Sequence, residues 1–281
     1  MNTCFICGKF ATTREHIIPK WIQRKYKLWD QLIGLPNDTS IPYRKLTIPI
    51  CNNCNNKVLS PIESKIKNGI ASDKEIWKWA CKIHYGLTRK DDFLEWDLKN
   101  PGYKIGDVYY EDDKLELDRH LVHSITDSFI TEPCPFGSVF EFEFDHQNEF
   151  YFAHLINIPG ICINTGNKGY VVFIKDTGTL KRQPGIMKYY ENMKSNSHVG
   201  KMLNFFANAW MHLHRFPCKF PIIMSTNFIG IVGSPKLIEE KPFSQSLFGS
   251  LWTYLNGGNI TPIVTNEEYI RTNGIMYKEG D

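Results

Sequence analysis

The sequence predicts an α+β fold in which a small metal-organised module precedes a larger region of helices and antiparallel strands. Three observations lead to this prediction. Two closely spaced cysteine pairs lie within the first 60 residues, apolar residues at helical spacing follow them, and alternating apolar and acidic residues begin near residue 139. At 281 residues, of which 42% are hydrophobic, the chain can bury a sizeable core without disulfides.

The first module contains two Cys-x-x-Cys pairs, Cys4 with Cys7 and Cys51 with Cys54. A spacing of two residues lets one tight turn direct both sulfurs at a single tetrahedral ion. Four thiolates complete the coordination sphere of Zn²⁺ and leave no open position. The pattern therefore predicts a structural zinc ion that is not itself the catalyst.

Two helices are expected after the second cysteine pair. One covers residues 60–69 and the other residues 73–87, where apolar residues recur every three or four positions. Ser72 or Asp73 is placed to cap the second helix. Residues 90–113 contain Asn-Pro-Gly and Glu-Asp-Asp runs, which predict a linker that leads into a β-rich region.

The predicted domain organisation follows from these elements. Residues 1–70 are expected to form the zinc-stabilised module and residues 71–90 a connecting helix. Residues 91–281 are expected to form an α+β region that regulates the module or binds a partner.

The second region is expected to contain four antiparallel strands, a helix and a further strand. Val and Phe alternate with Glu and Asp in the first strand, which indicates a half-buried strand with a solvated acidic face. An apolar stripe from Met202 to Leu213 predicts a helix that ends before Pro217. The expected strands are residues 139–145, 150–156, 160–164, 170–175 and 221–232.

Charge is distributed unevenly along the chain. Residues 1–90 hold 16 Lys and Arg against 6 Asp and Glu, whereas residues 91–281 hold 17 against 24. A basic segment is a candidate surface for nucleic acid, and an acidic one repels a phosphate backbone. The first region is therefore the expected nucleic-acid-binding part.

The sequence contains no uninterrupted apolar run near the roughly 18 residues that a membrane-spanning helix requires. The first nine residues have no apolar run behind a basic start, as a secretory signal would. We therefore expect a cytoplasmic protein without a membrane partner, in which cysteines serve as metal ligands or buried thiols.

A second set of chemically capable residues lies between and after the cysteine pairs. Glu15-His16-Ile17-Ile18-Pro19-Lys20 lies between them, and Asn55 and Asn56 directly follow the second pair. An imidazole with a pKa near 6.5 can accept a proton from water at neutral pH. Carboxylate and amide oxygens from Glu15 and Asn55 suit Mg²⁺ or Mn²⁺ better than zinc.

These residues resemble the HNH endonuclease pattern, also called the ββα-metal or His-Me finger fold, and in particular HNH nucleases of bacterial antiphage defence. The resemblance covers about a quarter of the chain. It implies a histidine at the end of a strand and a ligand on a short helix packed across it. By this resemblance, His16 is the general base, Glu15 and Asn55 bind Mg²⁺ or Mn²⁺, and the four cysteines bind Zn²⁺. The implied reaction is phosphodiester hydrolysis in DNA, with RNA left open as a substrate.

The chain departs from the pattern at one position. Members of the family commonly carry a middle Asn shortly before the second cysteine pair, which fixes the loop that holds the base. Residues 43–50 contain no Asn. The alternatives for this loop contact are Asn37, Asp38, Asn52 and Asn53.

Two further residues belong to the candidate site. Asn56 directly follows Asn55. Glu63 lies eight residues after Asn55, about two helical turns away, and matches an acidic residue of the defence subgroup. Its carboxylate is expected either to reach the metal or to bond within its own helix.

A basic stretch follows the Glu-His pair, and its members are candidates for contact with a phosphate backbone. A solvated basic helix is the alternative interpretation. The candidate residues are Lys20, Arg24, Lys25 and Lys27.

Two other functional classes stay open at this level. A zinc-stabilised module that binds nucleic acid without cutting it needs only zinc, whereas the nuclease also needs Mg²⁺ or Mn²⁺. A protein-interaction scaffold would show little salt-dependent affinity for DNA. The acidic second region is expected to serve a regulatory protein partner or a homo-oligomer.

Overall fold

The structure is a computed structural model, and it shows the mixed α+β architecture that the sequence predicts. The chain divides into two compact units, Met1–Thr131 with Met224–Ile229, and Glu132–Ile223 with Gly230–Asp281. The residues that the structure describes are 3–37, 39–109, 112–126, 128–145, 149–156, 158–195, 197–234, 236–255, 270–272 and 275–276.

The first unit contains short strands followed by helices. A 3₁₀ turn covers Tyr43–Lys45, and a π-helical segment covers Cys54–Leu59. The regular elements are β1 (Thr13–His16), α1 (Lys20–Lys25), β2 (Leu32–Gly34), β3 (Ser40–Pro42), β4 (Thr47–Ile50), α2 (Ser60–Lys67), α3 (Asp73–Asp91), α4 (Ile105–Tyr109), α5 (Asp112–His123) and β5 (Ile130–Glu132).

Strands β1 and β4 form an antiparallel pair that brings the two cysteine segments together. Glu15 lies opposite Ile48, and His16 lies opposite Thr47. Because Cys51 directly follows β4 and the π-helical segment begins at Cys54, the chain passes from the paired strands straight into a helix. This order places the helical Asn55 next to β1.

Both predicted helices after the cysteines are confirmed as α2 and α3. Ser72 begins the second, where its backbone N–H and its hydroxyl each donate to the Glu75 carboxylate at 3.0 Å. The sequence predicts one apolar face, but nearly every side chain of α3 beyond Ile76 is buried. Lys78 and Lys82 are therefore enclosed within the unit, at 6% and 0% exposure.

The expected linker at residues 90–113 is corrected by the structure. Helix α4 lies within it, and Asp112 and Asp113 of the run that predicts a turn begin α5, whereas Glu111 lies outside the described residues. Acidic residues favour the first turn of a helix through the helix dipole, so Asp112 and Asp113 suit either structure. Leu121 and Val122 are buried at the other end of α5, and the first unit extends to Thr131.

The second unit is built on an antiparallel sheet, as predicted. The six strands have the order β15-β14-β7-β8-β9-β6. The elements from residue 138 onward, of which β11 and β12 each have residues in the first unit, are β6 (Ser138–Glu143), β7 (Phe152–Leu155), β8 (Gly160–Asn164), β9 (Lys168–Phe173), α6 (Pro184–Glu191), α7 (Val199–Arg215), β10 (Cys218–Lys219), β11 (Ile222–Ser225), β12 (Phe228–Ile231), β13 (Lys236–Leu237), α8 (Gln245–Leu255), β14 (Ile270–Thr272) and β15 (Ile275–Met276).

The four predicted strands are confirmed as β6 to β9, and the predicted helix as α7. Phe205 of α7 packs against Phe140 of β6, with ring centroids 4.6 Å apart. The prediction of one strand at residues 221–232 is wrong. The segment forms β11 and β12 with a turn at Thr226 and Asn227, because these polar residues interrupt the apolar run.

No helix in the described part of the chain combines the length and the hydropathy that a bilayer crossing requires.

Candidate functional site

The four cysteines of the two pairs converge in the first unit. Their Sγ atoms all lie within 4.8 Å of one another, and those of Cys7 and Cys51 are 3.7 Å apart. Tetrahedral zinc with Zn–S bonds of about 2.3 Å separates its sulfurs by about 3.8 Å. All four are free thiols, so the cluster can hold a metal ion such as zinc.

Backbone geometry directs these sulfurs inward. Gly8 has φ +70°, a conformation that suits glycine, and its N–H donates to the Cys4 carbonyl at 2.9 Å. The Cys54 N–H points at Cys51 Sγ at 3.4 Å. Burial raises the pKa of Cys51, but this N–H and the neighbouring thiols outweigh burial and lower the pKa to about 7. Burial and neighbouring thiols raise the pKa of Cys54, so a bound cation is needed to keep all four as thiolates.

His16 is the last residue of β1. The resemblance to the HNH pattern implies that the general base lies at this position. The half-buried ring of His16 stacks on Trp29 with centroids 5.5 Å apart, and neither ring nitrogen has a hydrogen-bond partner in the described structure. Burial, with smaller contributions from Lys20 and Lys82, lowers the pKa of His16 to about 4 although Glu15 opposes the shift. The imidazole is therefore neutral at pH 7.

Glu15 lies beside His16 but is engaged in a buried ion pair. The Lys82 Nζ of α3 lies 2.7 Å from Glu15 Oε1 and 3.0 Å from Glu63 Oε1. The same ammonium donates to the carbonyls of His16 at 2.6 Å and Ile17 at 3.0 Å. Glu63 therefore shares one cation with Glu15.

Asn55 packs against the same face of β1 as Glu15. Its Nδ2 donates to Thr13 Oγ1 at 3.4 Å, and Thr13 and Glu15 share a face because strand residues alternate. The Asn55 Oδ1 and the second Glu15 oxygen both offer hard oxygen donors. In proteins Mg²⁺ commonly binds through one or two such oxygens plus water and phosphate. His16 points to the opposite face of β1.

The other acidic and amide candidates occupy different positions. Asn56 is exposed, as are Asn52 and Asn53. The Asn37 amide donates to the carbonyls of Glu95 and Trp96 at 3.0 and 2.9 Å. Asn37 therefore makes its contacts away from the His16 segment, and Asp38 lies outside the described residues.

The four basic candidates are all exposed on or just after α1. Lys20 is the first residue of this helix and lies four residues after His16 in the chain. Arg24 follows four residues later. Lys25 also lies over the Tyr26 ring at 5.5 Å, and Lys27 has φ +55°. Side chains at this spacing on one surface can contact successive phosphates.

A cavity of about 200 Å³ adjoins the cysteine cluster but does not include the candidate site. Cys4, Arg89 and Arg119 contribute to its walls. Both arginines have partners, Arg89 an ion pair with Asp92 and Arg119 a hydrogen bond to Tyr85. The cavity therefore adjoins the cysteine cluster, and the two arginines in its walls already have partners.

Lys82 is the site residue that the sequence analysis does not identify. A signal for it exists, because Lys78 and Lys82 lie one turn apart in residues 76–87 of α3, where every other residue except His84 is apolar or glycine. The helical period places them on the face opposite an apolar stripe, which is usually solvated. Only the packing of α3 on several sides makes them interior.

Comparison with protein-family models, with curated proteins and with solved structures finds no match to this chain. The fold and the site together define an α+β protein with a four-cysteine cluster that can hold a metal ion such as zinc.

Proposed function

We propose that the first unit is a metal-dependent HNH-type endonuclease that hydrolyses phosphodiester bonds in DNA. The observation that carries the proposal is the imidazole of His16 at the end of β1. Buried polar atoms in proteins are normally hydrogen-bonded, and exceptions are frequent at catalytic positions. Both ring nitrogens of His16 lack such a partner in the described structure, while Glu15 lies next to it in sequence. Both nitrogens are enclosed and neither is engaged by a described protein group, so we propose that the neutral ring takes a proton from a water molecule that enters with the substrate.

The divalent ion of the proposed site would be held by Glu15 and Asn55, together with phosphate oxygens of the substrate. Mg²⁺ or Mn²⁺ at this position would neutralise the scissile phosphate and stabilise the leaving oxygen. The chain's own part is to orient Glu15 and Asn55 on one face of β1 and to present His16 at the strand end. A zinc ion in the cysteine cluster would have a structural role only.

The resemblance to antiphage-defence nucleases extends the proposal to bacterial or phage-related defence. In that setting the second unit would restrain the nuclease, either through a regulatory protein partner or through a homo-oligomer. Counted over residues 132–223 and 230–281, this unit holds 13 Lys and Arg against 13 Asp and Glu, so it has no basic excess with which to grip DNA.

One observation favours the alternative, a zinc-stabilised module that binds nucleic acid without cutting it. Glu15 is paired with Lys82 at 2.7 Å, and alternation along β1 turns it away from His16. A carboxylate that serves only this ion pair would need no second metal. The two functions therefore differ in their requirement for Mg²⁺ or Mn²⁺.

Cleavage of supercoiled plasmid DNA by the full chain tests the proposal. We expect nicked and linear products with Mg²⁺ or Mn²⁺, and none when the added ion is omitted at constant zinc content. Binding of the plasmid without cleavage under every ion would support the binding module instead. Neither binding nor cleavage would favour the protein-interaction scaffold.

Replacing two exposed basic residues of α1 tests the DNA-binding surface. The double variant Lys20→Gln/Arg24→Gln is expected to weaken DNA binding and to reduce the slope of log K against log salt by about 1 per lost phosphate contact. Fluorescence anisotropy across salt concentrations measures both quantities. Lys67→Gln/Lys74→Gln, which removes the same charge from exposed positions elsewhere on the unit, is the matched control. Equal losses in both variants would show a general charge effect and no defined surface.

A further inference from the structure

The side chain of Lys82 is wholly buried, yet its ammonium contacts four oxygen atoms. Two are the carboxylate oxygens of Glu15 and Glu63, and two are the backbone carbonyls of His16 and Ile17, all at 2.6 to 3.0 Å. An ammonium has three N–H donors, so the four acceptors share them. The contacts surround the nitrogen with oxygen in the way that a bound cation would be surrounded.

Such an arrangement needs a specific reason in a protein interior. A buried ammonium carries a large desolvation cost unless it is paired and hydrogen-bonded. Here two carboxylates, those of Glu15 at 2.7 Å and Glu63 at 3.0 Å, supply the pairing, and two carbonyls supply the further hydrogen bonds.

The two carbonyl contacts bear directly on the orientation of the His16 imidazole. These carbonyls belong to the peptide groups on either side of Ile17, where the chain leaves β1. The Ile17 N–H donates to the Leu46 carbonyl at 3.0 Å, so this segment is held from both directions. Holding the carbonyl of His16 restrains its ψ angle and the direction of its Cα–Cβ bond, and the stacking on Trp29 restrains the ring itself.

Helix α3 approaches this segment unusually closely. Gly86 lies one turn after Lys82, and a Cβ at Gly86 would lie only 3.1 Å from Ile17 Cγ1. The missing side chain thus lets the helix backbone come near the end of β1. Lys82 and Gly86 therefore lie on one face of α3, and both contact the His16–Ile17 segment.

We infer that Lys82 is a positioning residue of the proposed nuclease site: its buried ammonium holds the backbone of His16 and the carboxylate of Glu15 in one arrangement, with Glu63 as the second counter-ion. This inference rests on the proposed function. It assigns to a residue of α3 the control of both the base and a metal ligand. The side chain of Lys82 is 0% exposed, so it acts only through the residues that it contacts.

The test compares Lys82→Met with Lys78→Met in the full chain, on supercoiled plasmid with Mg²⁺ or Mn²⁺. Lys78 lies one turn earlier on α3, is also buried, and donates to the carbonyl of Ile125 at 3.0 Å. We expect Lys82→Met to lower kcat by about 10²-fold with KM and zinc content unchanged, since small misplacements of catalytic groups have effects of this size. Lys78→Met should keep kcat near that of the wild type.

A double variant separates positioning from charge balance and protects the test against misfolding. Lys82→Met/Glu63→Met replaces both ends of a buried pair with apolar groups, a change that proteins commonly tolerate. We expect it to fold and still to show the lowered kcat. Recovery of wild-type kcat would overturn the inference, because the ammonium would then serve only to balance Glu63.

Further outcomes distinguish this inference from the proposed function. Cleavage by the wild type together with equal cleavage by Lys82→Met overturns the inference alone. A Glu63→Gln variant that loses as much kcat as the double variant also overturns it, since Glu63 would then be the residue that matters. A wild type that cleaves with neither ion overturns the proposed function, and the positioning role falls with it.

Discussion

Replacing Cys54 with serine is expected to abolish metal binding and to unfold the β1–β4 module. Cys54 is buried and contributes one of four converging sulfurs. A two-stranded sheet as short as β1 and β4 is marginal by itself, so the module depends on the link between the two cysteine turns. Structural zinc sites contribute on the order of 10 kcal/mol, comparable with the whole stability of a domain.

Amide hydrogen exchange and zinc analysis measure this effect. We expect the bound zinc to fall from about one ion per chain to none. Protection should be lost in β1 and β4 but kept in β8 and β9 of the second unit. Treating the wild type with a strong chelator should reproduce the result.

The control for this substitution is Cys81→Ser. Cys81 is equally buried in the first unit but lies outside the cluster, so the variant should keep its zinc. Cys54→Ser with full zinc content and unchanged protection would contradict the structural role of the cluster.

The features that the sequence predicts well are those carried by local spacing. The Cys-x-x-Cys pairs determine a tight turn by themselves, and the strands of the second unit alternate with a period of two. Helix α3 is likewise recognised from its apolar period and from the capping residue Ser72. In each case, neighbours in sequence settle the structure.

The features that the sequence does not predict depend on distant contacts. Lys82 meets the carbonyl of His16 across 66 residues, and no local pattern encodes that contact. The sequence predicts a turn where α5 begins, because Asp112 and Asp113 suit both structures, and the contact of α5 with α3 is a distant one that no local pattern encodes. The candidate acids and the base could be proposed from their motif, but the cation that holds them could not.

The nuclease proposal makes its largest catalytic prediction at His16. His16→Ala is expected to lower kcat for plasmid cleavage by about 10²- to 10⁴-fold, the usual contribution of a general base. Zinc content and DNA affinity should not change, because the imidazole is outside the cysteine cluster and carries no charge at pH 7. His120→Ala removes another histidine of the first unit, one that bonds to the Glu116 carbonyl within α5, and should leave kcat unchanged.

Rescue by free imidazole distinguishes a base from a packing residue. The His16 ring stacks on Trp29, so its removal leaves a slot beside that ring that imidazole can enter. If His16 accepts the proton from water, added imidazole should restore part of the lost kcat to His16→Ala and leave the wild type unaffected. If His16→Ala cleaves as well as the wild type at normal zinc content, His16 is not the base. If cleavage is lost and imidazole does not restore it, the ring serves as a packing partner of Trp29.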